Sequence, residues 1–131
     1  MDADLLEFLP HQLRSLYERP SMVLHEESFD VILGAIAGYD AATGNLFLDG
    51  FREWAVPQLD HGYSLSWDGL LPKLIPEAVD GRVEVRSVLK IIAEFRRDFS
   101  TVDGRRRVYL ELERWLSRQS WYKEDSPHWL E

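Results

Sequence analysis

The chain has 131 residues, the size of one domain, and its 45% apolar content with five Trp, six Phe and five Tyr excludes intrinsic disorder. It has no cysteine, which excludes disulfides, thiolate catalysis and Cys-based zinc or iron–sulfur centres. The net charge of −8 is uneven: residues 1–80 carry 4 Lys/Arg against 14 Asp/Glu, a balance of −10, whereas residues 81–131 carry 11 against 9. Such a field repels nucleic acid and anionic lipid and accelerates encounter with a basic partner.

The opening Met1-Asp2-Ala3-Asp4-Leu5-Leu6-Glu7 is acidic where a signal peptide needs a basic region, and no apolar run approaches the roughly 18 to 20 residues that span a bilayer. A cytoplasmic protein is the expectation. Leu5, Leu6, Phe8 and Leu9 form a short apolar cluster; Pro10 then opens a helix carrying Leu13, Leu16 and Tyr17, and Pro20 closes it. After a connector over 19–27, Ser28 is a candidate N-cap for a helix whose Phe29, Ile32, Leu33 and Ile36 repeat at i, i+3, i+4, i+7. Gly34 and Gly38, four apart, read as a surface that admits another helix closely. Thr43-Gly44-Asn45 ends this helix and starts a stripe of Phe47, Leu48, Phe51, Trp54 and Ala55, which Pro57 should stop within a residue or two.

Residues 60–81 are the least regular, with His61-Gly62 as a turn, Ser66 as a candidate cap, and Pro72 and Pro76 limiting any helix. Alternation from Tyr63 to Trp67 is compatible with a strand, but one such run makes no sheet. The clearest period lies between Glu84 and Ser100, where Val85, Val88, Leu89, Ile92, Phe95 and Phe99 share a helix face. A connector with Asp103 as its capping residue leads to a last long helix marked by Val108, Leu112, Trp115 and Leu116. The tail beyond it carries Trp121, Tyr122 and Trp129. Together these elements predict an all-α fold, a compact irregular bundle of five to six helices forming one domain over 1–131.

Chemistry is sparse in this pattern. No two of His11, His25, His61 and His128 stand at metal-ligand spacing, and neither a Gly-x-Ser-x-Gly elbow nor a Gly-x-x-x-x-Gly-Lys-Ser/Thr loop occurs. Carboxylate neighbours such as Glu26-Glu27 and Glu111 with Glu113 read as solvated surface. The basic run Arg105-Arg106-Arg107, at a helix N-terminus where the dipole disfavours it, reads as pairing with nearby carboxylates. No cofactor or metal is expected, and no enzyme; a site built from His25, Glu26 and Asp60 is the only catalytic arrangement to weigh.

Arg19-Pro20-Ser21-Met22 resembles the segment before the ATP-site helix of gyrase B-type ATPases, but the Glu and Asn that family places on the next helix are absent from Val31-Ile32-Leu33-Gly34-Ala35-Ile36-Ala37-Gly38-Tyr39. The same Arg-Pro-x-Met, followed by Gly38-Tyr39, Phe51-Arg52-Glu53-Trp54 and Trp67, resembles small acidic α-helical bacterial immunity proteins of polymorphic toxin and contact-dependent inhibition systems, over residues 13–100. That resemblance implies binding to a cognate toxin domain and carries no catalytic residues.

The expected partner is a basic toxin domain, with no nucleic acid and no membrane involved. Carboxylates presented to a basic cleft and an aromatic anchor are the chemistry of such contacts. The candidate contact residues are Glu26, Glu27, Asp30, Asp40, Asp49, Glu53, Asp60 and Asp68, with Tyr63 as anchor. The alternative is a regulatory or scaffolding helical module, a homodimer that buries Trp121 and Trp129.

Overall fold

The 85–99 apolar period produces the element on which the others pack. The computed structural model describes residues 3–19, 29–75 and 85–121, and among these the regular structure is all helix, with no strand. In chain order the helices are α1 (Ala3–Leu6), α2 (His11–Glu18), α3 (Phe29–Ala42), α4 (Phe51–Leu59), α5 (Trp67–Leu70) with a 3₁₀ turn at Leu71–Leu74, α6 (Val85–Asp98) and α7 (Val102–Ser117). Five of these run two turns or more; α1 and α5 are single turns. None is long and apolar enough to cross a membrane.

Helix α6 turns Val85, Val88, Leu89, Ile92, Ala93 and Phe95 inward, and α1, α2, α3, α7 and the 3₁₀ turn all pack against it. Each of these side chains larger than Ala93 stabilises the fold by roughly 1.5–3 kcal/mol through burial. Helices α4 and α7 form the most extensive pairing, laid beside α6. Rings join the three helices: Phe51 meets Phe95 edge-on at 5.2 Å, Phe95 meets Phe99 at 4.8 Å, and Phe99 reaches Tyr109 at 6.0 Å. Two buried indoles add polar links. Trp54 of α4 donates to Asp98 at 2.8 Å, and Trp115 of α7 donates to Asp60 just beyond α4 at 2.7 Å. Burying an indole N–H needs such an acceptor, so these two carboxylates belong to the framework.

Most local expectations match the structure. Pro10, extended, sits at the N-terminus of α2, and α4 ends two residues past Pro57. Four readings need correction. Phe47 and Leu48 stand outside α4, because Gly44 and Asn45 are left-handed (φ 73° and 64°) and the Asp40 carboxylate accepts the Leu48 N–H at 2.9 Å, stabilising a turn. The cap of α7 is Thr101, whose hydroxyl accepts the Gly104 N–H at 2.9 Å, with Asp103 already inside the helix. Alternation at 63–67 forms a turn closed by the Leu65 N–H on the Gly62 carbonyl. Gly34 and Gly38 are exposed, and a Cβ on either would meet no atom within 4 Å among the described residues. The Ser28 cap, the 19–27 connector apart from Arg19, and Tyr122 and Trp129 of the tail lie outside the described residues.

Gly50 fills a specific need. It is left-handed (φ 90°) at the start of α4, and a Cβ there would overlap the Phe99 ring. The Phe99 ring, just past the end of α6, can therefore lie directly on the N-cap of α4.

Candidate protein-binding surface

Helix α4 and the loop that follows it gather much of the acidic and aromatic chemistry that the sequence scatters. At the N-terminal side of α4, Asp49, Arg52 and Glu53 share a cleft of about 320 Å³ with Ser64, Leu65, Ser66 and Trp67. At the C-terminal side, Asp60, His61, Tyr63 and Ser64 share a second cleft of about 440 Å³ with Trp115, Gln119 and Trp121. Ser64 lines both, so the two clefts are neighbours on one strip of surface. Arg52 bridges them, its guanidinium 5.0 Å from the centre of the Tyr63 ring.

The loop geometry follows from its residues. Asp60 is left-handed (φ 60°), its N–H still bonded to the Val56 carbonyl at 2.8 Å, and Gly62 is left-handed at φ 89°. The chain thereby reverses within three residues, and Tyr63 returns against α7. Its ring lies 6.2 Å from Trp115 and 5.5 Å from Trp121, with those two indoles 6.1 Å apart. Trp115 is buried, whereas Trp121 leaves 54% of its surface exposed, an unusual fraction for the largest apolar side chain. Gln119 donates to the Trp115 carbonyl at 3.0 Å and steadies the last turn of α7.

The nine candidate residues separate into different roles. Glu26 and Glu27 lie outside the described residues, as does the His25 half of the catalytic arrangement with Asp60. Asp30 is exposed in the first turn of α3, where a carboxylate suits the helix dipole, with no link to the strip. Asp40 is half-buried and engaged by the Leu48 N–H. Asp68 accepts the Ser66 hydroxyl at the head of α5. Asp49, Glu53, Asp60 and Tyr63 do line the strip. Sequence reasoning missed Arg52, Trp115 and Trp121 as members of it. Trp121 stood out only as a bulky residue in a polar tail, and helical spacing placed Trp115 in the core without showing that one edge reaches a cleft.

A third, more polar groove runs between α4, α6 and α7, lined by Glu53, Glu94, Asp98 and Glu111 with Arg97 and Arg107. Arg105 turns elsewhere and donates to the Phe99 carbonyl at 2.9 Å. The expected carboxylate pairing of the Arg105 to Arg107 run is thus replaced, at Arg105, by capping of the C-terminal end of α6. Among the described residues no three His, Asp or Glu side chains converge as a metal site. Tyr109 has its phenol pushed above its ordinary value by burial first, then by the charges of Glu53 and Asp49, with Arg105 opposing.

No protein-family model matches the chain, and no curated protein or solved structure matches it either.

Proposed function

We propose that the protein is a non-catalytic binding protein that captures a basic protein domain, in the role of an immunity protein that neutralises a cognate bacterial toxin in the cytosol. The observation that carries this reading is the strip along α4 and its loop, where Asp60 lines a cleft walled by Tyr63 and the half-exposed Trp121 and the adjoining cleft carries Asp49 and Glu53 beside Arg52. Interface energy concentrates in aromatic anchors, while surrounding carboxylates select a basic partner and hasten encounter. The balance of −10 over residues 1–80 extends the same field across the first part of the chain.

Expression of the adjacent open reading frame's C-terminal domain, with and without this protein, tests the proposal through growth and co-purification. Rescue of growth with a stable one-to-one complex supports it. A neighbour that is harmless, or that fails to bind, removes it.

Exposure of Trp121 also favours a second reading, a homodimeric scaffolding module that covers this indole with another copy. A mass that doubles with concentration, and reverts in Trp121→Ala, would select that reading instead.

A further inference from the structure

We propose that the cleft between Tyr63, Trp115 and Trp121 seats an arginine side chain of the partner, with its guanidinium against the Trp121 indole and paired to the Asp60 carboxylate. This inference rests on the protein-binding reading above and names the contact that the strip is built to make.

The lining decides the chemistry. Three aromatic rings supply the walls, and the one formal charge of fixed sign among the lining residues is Asp60. Its Oδ1 is held by the Trp115 indole N–H at 2.7 Å, which orients the carboxylate at the edge of the aromatic wall. An ionised carboxylate accepts about four hydrogen bonds, so one indole leaves it acceptor capacity for a cation. In the adjoining cleft Arg52 pairs with Glu53 at 3.4 Å, and Asp49 keeps the balance there negative. A phosphate or another acidic group would be repelled here, and a purely apolar side chain would desolvate Asp60 without compensation.

Arginine fits better than lysine. Its plane stacks on an aromatic face while its N–H fork meets a carboxylate, whereas an ammonium is a strongly hydrated point charge. The protein already places its own arginines over rings, Arg52 over Tyr63 at 5.0 Å, Arg86 over Tyr17 at 5.4 Å and Arg96 over Phe47 at 5.2 Å, and Arg52 pairs at the same time with the Glu53 carboxylate. Of the three indoles on the strip, Trp67, Trp115 and Trp121, the exposed one is Trp121.

The test titrates the full 131-residue chain with three capped tripeptides, Gly-Arg-Gly, Gly-Lys-Gly and Gly-citrulline-Gly, following the indole N–H resonances of Trp115 and Trp121. The arginine peptide should shift both resonances and bind about fivefold or more tightly than its citrulline counterpart, which keeps the shape and loses the charge. Trp121→Ala should weaken it about tenfold and Asp60→Asn about threefold, the asparagine oxygen still accepting the Trp115 N–H. Equal binding of arginine and citrulline peptides, or no response at Trp121, overturns the proposal, as does protection of Trp121 by a second copy in a concentration-dependent dimer. The two readings fail separately. A neighbour toxin that binds wild type, Trp121→Ala and Asp60→Asn equally well leaves the immunity role standing and removes the arginine seat; peptide binding without a toxin complex does the reverse.

Discussion

Tyr109 shows how a single residue ties the acidic strip to stability. Its phenol, on α7 beside the Phe99 ring, is partly buried, and both burial and the Glu53 and Asp49 charges make the phenolate costlier in the folded chain than in the unfolded one. The group's contribution is therefore fully present below pH 10.0, its ordinary value, and is lost as pH rises toward and past the higher folded value. Urea unfolding followed between pH ~9 and ~12 should show this loss, and Tyr109→Phe should flatten it. An unchanged alkaline slope in the variant would assign the loss to other groups. Asp60 illustrates the converse. Charge alone suggested a contact for a partner; in the structure one of its oxygens also serves the Trp115 indole, and only the remaining acceptor capacity is left for such a contact. Side-chain hydrogen bonds across 55 positions leave no mark on local spacing.

At the scale of elements, the periodic signal held where one face is buried and misled where it is not. Helix α6 follows its spacing residue by residue because every apolar position meets a neighbouring element. Gly34 and Gly38 suggested a close helix crossing, yet both face open space among the described residues. With no packing reason to keep glycine, Gly34→Ala and Gly38→Ala should each stabilise the protein by about 0.5–1 kcal/mol, read as a raised urea midpoint, since alanine restricts the unfolded chain and favours helix. Loss of stability in either variant would mean that this face is covered after all. The shift of the α7 cap from Asp103 to Thr101 is a one-turn matter of register: both residue types cap well, and only the position of Gly104 against the end of α6 decides which does.

For the whole molecule, the asymmetry of charge makes the proposed binding role testable through its salt dependence. If the strip steers a basic domain, the association rate should fall about tenfold or more between 50 mM and 500 mM salt, with dissociation changing far less. Stopped-flow fluorescence on the co-purified partner measures this, and Asp49→Asn with Glu53→Gln should blunt the salt dependence. A rate indifferent to salt would leave only the aromatic contact as the source of recognition.

The sequence by itself determined the helical class, the extents of α2, α6 and α7 to within a few residues, most of the core and the acidic balance of residues 1–80, because these depend on periodicity and composition along the chain. Tertiary structure alone decided that α6 is the hub, that Asp40, Asp60 and Asp98 serve the framework, and that Arg105 caps a helix end. It also decided that Asp49, Glu53, Tyr63 and Trp121 share one strip. Those outcomes depend on which distant segments meet, and they turn on left-handed backbone at Gly44, Asn45, Asp60 and Gly62. A few degrees of freedom at such turns redirect whole helices, and no local pattern encodes where the redirected side chains converge.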